Sequence, residues 1–170
     1  MPPLFRSLPA RTRAFALAGL FAAAAVGAAR PAAAMSDLGG YGPWAAFAGG
    51  TTGGAFCGMR TRINTGGLLA LTVDASGVHL IASDPHWSMP AGASVPVVVT
   101  LHANRFRGSG RVLADGRSIA VDLLPARFLH DFINGYSARF RFGVVRWSID
   151  LTGTAATGAL VYRCARAIGL

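Results

Sequence analysis

The chain has 170 residues, a formal net charge of +9 and two cysteines. Apart from histidine, its basic side chains are all Arg and its acidic ones all Asp. A bias of that kind can belong to a whole genome, so charge by itself is no argument for a polyanion partner. Once the first 34 residues are set aside, the length leaves room for one domain with a proper core and excludes a sizeable second one.

Those first residues, 1–34, read as a signal peptide. Arg11-Thr12-Arg13 precedes an apolar run from Ala14 to Ala29, followed by Arg30-Pro31 and the small-residue triplet Ala32-Ala33-Ala34. This is a basic start, an apolar middle and an Ala-x-Ala cleavage site. As a helix the run spans roughly 24 Å, short of a hydrocarbon core of roughly 30 Å, which favours a cleaved signal over a membrane anchor. Cleavage is expected after Ala34, with Val26-Gly27-Ala28 as an earlier fit. Thr12 splits the basic pair, which argues against a twin-arginine signal, and no Cys stands at the cleavage point to carry a lipid. Four arginines and no acid leave with the signal, lowering the formal charge from +9 to +5. The remainder is expected to be periplasmic or secreted, with no membrane span. In an oxidising compartment a disulfide between Cys57 and Cys164 is the default, and it closes a loop of about 108 residues. Two buried free thiols are the alternative.

Residues 35–54 form a Gly-rich N-terminal leader, expected to stay loose until Trp44 and Phe47 supply apolar anchors. Its end, Gly49-Gly50-Thr51-Thr52-Gly53-Gly54, reads as a flexible turn and lacks the Gly-Lys-Ser/Thr ending of a phosphate loop. From 55 to 170 the chain reads as a single β-rich domain, with short extended runs separated by turn signals. Strands are expected at Ala55–Arg62, Leu68–Val73, Val78–Ser83 and Val95–His102. The long connection from Asp84 to Ser94, holding Asp84, His86 and Trp87, is the natural place for a functional loop. Gly108-Ser109-Gly110 reads as a turn or bulge. Arg111–Ala114 and Arg117–Leu123 flank Asp115-Gly116, a type I′ hairpin signal.

Pro125 opens a short helix, Ala126–Asn134, with Phe128, Leu129, Phe132 and Ile133 on one face, expected to cap one end of the core. Strict alternation from Arg139 to Val144 turns Phe140, Phe142 and Val144 inward, and the next run does the same for Trp147, Ile149 and Leu151. Thr154 to Cys164 fits a helix capped by Thr154 that buries Ala156, Leu160, Val161 and Cys164, or a last strand; helix is the preferred reading. The fold class is mainly β: an antiparallel sandwich or barrel-like domain with one or two short capping helices.

Several of these features together resemble the invasion-associated locus B proteins, a family of secreted bacterial proteins. They are Trp44, Cys57, an aliphatic hairpin, a Pro-containing loop, an amphipathic helix before a Phe-rich strand, and a closing Leu151-Thr152-Gly153 with Ala159-Leu160. The resemblance implies a β-sandwich with helical capping, no catalytic residues to carry over, and a role at the cell envelope or host surface. The chain departs from that pattern in having no second internal cysteine pair.

Chemistry-bearing residues are sparse. His79, His86, His102 and His130 show no metal-site spacing, no Gly-x-Ser-x-Gly elbow exists, and the Asp residues are scattered singly. No catalytic residue, metal or cofactor is expected. Arg105, Arg107, Arg111 and Arg117 gather around one hairpin while Arg139, Arg141 and Arg146 decorate the later strands. If those elements are neighbours, they make a face able to fork onto phosphates or carboxylates; the plainer reading is a solvated β-face. The leading reading is an exported, non-enzymatic cell-envelope protein that acts by binding or structural interaction with a protein or envelope component. The second is a binder of anionic lipid or polysaccharide through the arginines, and the third a hydrolase using His and Asp of residues 84–94 and 126–134. Nucleic acid is disfavoured as a partner, since no recognition motif is present and export separates the chain from it.

Overall fold

The computed structural model describes residues 35–51 and 54–170; the expected signal at residues 1–34 lies outside them. Ten strands and two helices follow one another: β1 (Ser36–Tyr41), β2 (Trp44–Thr51), β3 (Gly54–Arg62), β4 (Leu68–Asp74), β5 (Gly77–Ser83), β6 (Ser94–Leu101), β7 (Asn104–Val112), β8 (Ser118–Leu124), α1 (Ala126–Ile133), β9 (Ser137–Phe142), β10 (Val145–Asp150) and α2 (Thr154–Ala167). The strands form one antiparallel sheet in the order β1-β2-β3-β4-β5-β8-β7-β6-β9-β10, not closed into a barrel. The domain is thus mainly β with two short helices. No helix among the described residues is long and apolar enough to cross a membrane.

The sheet has two parts. β1 to β5 meander and continue into β8, while β7, β6, β9 and β10 form the rest. β7 and β8 join them through just two residue pairs, Arg111 with Ala120 and Val112 with Ile119. The approach there is close: a Cβ on Gly110 would run into Ile119 Cγ2 and lie 3.0 Å from the Ala120 carbonyl oxygen.

Period-two alternation puts Trp44, Met59, Leu80, Val99, Phe140 and Trp147 on one face, all buried. Both helices lie on that face. α1 places Phe132 edge-on to Trp44, with centroids 5.4 Å apart, and Phe128 edge-on to Phe106 at 5.0 Å. Its aromatic face therefore links the two parts of the sheet rather than only capping an end. α2 packs against β1, β2 and β3 and is joined to β3 by the Cys57–Cys164 disulfide, Cα atoms 6.0 Å apart. The hydroxyl of Thr157 accepts a hydrogen bond from Tyr41 N (3.1 Å).

Several local expectations change. The stretch read as a loose leader is β1 and β2, because α2 covers the inner face of these strands, where Ala46 is buried with Trp44, while Phe47 is buried on the outer face against Phe56. Gly108-Ser109-Gly110 lies within β7, since β6 supplies it with a full partner strand. The Asp115-Gly116 hairpin forms, but only Gly116 has positive φ, +64°. The Asp115 carboxylate accepts from Arg117 N, Ser118 N and Ser118 Oγ instead, an arrangement that needs no left-handed Asp. Val144 is not inward: it sits in the β9–β10 turn and is 95% exposed. The tail is a helix, but Gly153 precedes its first residue, and Thr154, which donates to Leu151 O (2.7 Å) and Ile133 O (2.9 Å), begins it. Its buried face holds Thr154, Thr157, Gly158, Val161 and Ala165; Ala156 is exposed and Leu160 and Cys164 are half-buried.

Candidate anion-binding face

Strand order decides where the arginines go. Because β6 lies between β7 and β9, Arg105 and Arg139 both pair with Thr100, and Arg139 pairs with Ser148 across β9–β10. One row on the outer face therefore reads Arg105, Thr100, Arg139, Ser148. The next reads Arg107, Val98, Arg141, Arg146 by the same registers. Arg111, opposite Ser94, extends the face along β7. All six arginines are exposed. Arg117 lies in the β7–β8 turn, outside the strands that carry this face.

Arg141 and Arg146 stand directly opposite one another. The two-residue β9–β10 turn makes Phe142 and Val145 a hydrogen-bonded pair, so Arg141 and Arg146 are a non-hydrogen-bonded pair, with Cα atoms about 4.5 Å apart. Directly opposed like charges destabilise a sheet. No ion pair offsets them: among the described residues every ion pair joins a histidine to an aspartate, and none involves an arginine. Asp150 shares the face, but its carboxylate already accepts from Thr152 N (2.8 Å) and Thr152 Oγ1 (2.7 Å), which hold its pKa below the usual 3.8. A groove of about 350 Å³ runs between the rows, walled by Arg105, Arg139, Arg141 and Arg146 with the Thr100 and Ser148 hydroxyls in it. Guanidinium forks beside hydroxyl donors suit phosphate or carboxylate oxygens.

The sequence signal for this face was the Arg-x-Arg spacing at 105–107 and 139–141. Thr100 and Ser148 carry no such signal, because they join the site only through the strand order.

The loop from 84 to 94 is pinned. Asp84, 5% exposed, accepts from Thr65 Oγ1 (2.8 Å) and from His86 N (2.9 Å). Trp87 packs against Trp147 and Phe142, and Met89 N donates to Gly116 O (2.9 Å). His86 alone of the three candidate residues is exposed.

The other histidines lie on separate elements. His102, in the β6–β7 turn with φ +50°, meets Tyr136 edge-on, and His130 on α1 lies 3.5 Å from Asp131. His79 on β5 has the densest surroundings. Its Nδ1 lies 3.1 Å from Asp122 Oδ1, and its Nε2 lies 2.9 Å from Ser76 Oγ and 3.1 Å from Asp74 Oδ1. A Ser–His–Asp order is present in outline, yet Ser76 Oγ donates to Asp74 (2.5 Å), so its proton is directed away from the imidazole. That hydrogen bond is the main reason Asp74's pKa is lowered to about 2. The two aspartates approach different nitrogens of His79, and among the described residues no group of three His, Cys or Asp side chains is arranged to hold a metal ion.

No protein-family model matches the chain, and no curated protein matches it by sequence. By structure it is similar to the crystal structure of invasion-associated protein B from Bartonella henselae, at a TM-score of 0.50 and 13% identity, over 74% of this chain and 95% of that one. At that identity the likeness concerns the fold.

Proposed function

We propose that the chain is an exported, non-enzymatic cell-envelope protein that acts by binding, and that the outer face of β6, β7, β9 and β10 is its contact for anionic envelope components. The observation that carries this reading is the unneutralised opposition of Arg141 and Arg146 within a face of six arginines. A sheet that keeps directly opposed like charges without carboxylate partners sacrifices stability there, and an incoming anion relieves the repulsion. The fold shared with an invasion-associated protein and the disulfide support an envelope setting. The shared ligand chemistry is a phosphate or carboxylate oxygen, which could come from a lipid headgroup or an acidic polysaccharide.

Vesicles of anionic phospholipid and a soluble uronate polysaccharide, each measured at several salt concentrations, separate the two sources. Binding should weaken as salt rises. It should fall at least about tenfold in an Arg141→Glu/Arg146→Glu variant, since each loses an attraction and gains a repulsion. Neutral vesicles bound equally well, or a charge-reversed variant bound like the original, would overturn the reading.

A further inference from the structure

The β7–β8 hairpin opens beyond its two-pair seam, leaving part of a strand edge inside the sheet. Val112 N donates to Ala93 O. The β6–β7 register carries the alternation on, so Gly110, Gly108 and Phe106 exchange bonds with β6. The backbone groups of Arg111, Ser109, Arg107 and Arg105 therefore point the other way, toward β8. Arg111 pairs there with Ala120. The remaining three have no partner strand among the described residues. β8 turns off along β5, through a register shift, to reach Pro125 and α1.

What they face is a cleft of about 360 Å³ between β7 and Val121, Asp122 and Leu124, with Arg127 at its end. The Arg127 guanidinium lies 5.4 Å over the Phe106 ring. Gly108 faces inward, yet a Cβ built on it meets nothing within 4 Å, so the space continues beneath the edge. The cleft's carboxylate, Asp122, is held by His79. Arg105, Arg107 and Arg127 leave it net positive.

We propose that this cleft takes an extended peptide which adds to β7 as a strand and carries acidic side chains at alternate positions. Three edge residues match a segment of about five residues at roughly 3.4 Å each. Main-chain bonds to Ser109, Arg107 and Arg105 hold the peptide, and the side chains on its outer face lie opposite Arg105 and Arg107, where carboxylates are favoured. Its inward side chains enter the space beneath Gly108, which suits small apolar groups. The free edge of β10 is less suited, since the Asp150 carbonyl already accepts from Trp44 Nε1 (3.3 Å). The inference shares Arg105 and Arg107 with the anion-binding face but rests on backbone groups that the face does not use.

The test uses the purified protein and three end-blocked peptides: one alternating Asp and Val, one of the same composition with the Asp residues in a block, and the alternating one N-methylated at every second amide. The alternating peptide should slow amide exchange of Arg107 and Ser109 at least about tenfold, and N-methylation on the bonding side should remove both binding and protection. Ser109→Pro deletes an amide that faces the cleft while leaving the β6–β7 bonds, and should abolish binding. Arg107→Glu, which asks nothing of the backbone, should weaken it at least about tenfold. Binding without protection of those amides, or binding indifferent to N-methylation, would mean that the carboxylates sit on the arginine face alone. That outcome overturns strand addition and leaves the anion-binding reading standing, whereas failure of vesicle and polysaccharide binding with peptide binding intact does the reverse.

Discussion

The indole rings of Trp87 and Trp147 lie stacked, with centroids 5.1 Å apart and planes 14° from parallel. Phe142 meets both edge-on, at 5.5 and 5.1 Å. Trp87 belongs to the connection between β5 and β6, and Trp147 to the edge strand β10. The stack thus ties the longest loop of the domain to the end of its sheet.

Removing the inner ring should be costly. Trp147 is buried, so Trp147→Ala should destabilise by about 3–5 kcal/mol through lost burial and the cavity left behind. Trp87→Ala should cost less, because Trp87 is partly exposed. A double-mutant cycle should return a coupling of about 0.5–1.5 kcal/mol for the stacked pair. Denaturant titration measures all three, and additive losses would mean that the rings pack independently.

Cys57→Ser and Cys164→Ser should destabilise to similar extents, since each removes the same cross-link over a sequence separation of 107. The chain-entropy model puts the loss near 4.7 kcal/mol for a loop of about that length, an upper figure where the reduced chain keeps residual structure. Denatured, unreduced protein should contain no titratable thiol.

Asp74 should titrate near pH 2 rather than at its ordinary 3.8, chiefly because Ser76 Oγ donates to it. The lowered folded pKa means that this carboxylate's stabilisation is present above 3.8 and is lost as the pH falls through about 2. Side-chain carboxyl chemical shifts followed against pH read the midpoint directly. Ser76→Ala should move it back toward 3.8, and an unchanged midpoint would assign the shift to another partner.

Gly110→Ala should loosen the junction between the two parts of the sheet, because the new methyl meets both Ile119 and the backbone of Ala120. The expected loss is about 1–3 kcal/mol, typical of overpacking. Amide exchange at Arg111 and Ala120, which face each other across that junction, should rise more than at the β2–β3 ladder, which distinguishes local opening from general destabilisation.

The arginine face was half legible in the sequence. Arg139-x-Arg141 and Arg105-x-Arg107 announce their common side through period-two alternation, but that they meet across β6 depends on a strand order that local pattern cannot encode. Arg117 shows the limit from the other direction: near the cluster in sequence, it falls in the β7–β8 turn, outside the strands that carry the face. The helix at Pro125 was readable from its cap and aromatic spacing, whereas its place between the two parts of the sheet follows from Trp44 and Phe106, far away in the chain. Residues 36–51 looked loose because Gly and Ala dominate them. Small side chains leave no strand signature, yet they are what lets α2 lie close on β1 and β2.

The disulfide also divides the chain mechanically. Cys57 lies in the third strand and Cys164 near the end of the last helix, so the closed ring contains all four strands of the arginine face, and β1 and β2 hang outside it. Tension applied between the two ends would peel those first strands away, releasing at most about 3.3–3.6 Å of length per residue. It would then stop at a covalent bond instead of at the next hydrogen-bonded ladder. Every backbone bond of β6, β7, β9 and β10 stays unloaded while that link holds. A protein of this build, held at one end and gripped at the other, gives a short fixed length under load and keeps its charged surface folded.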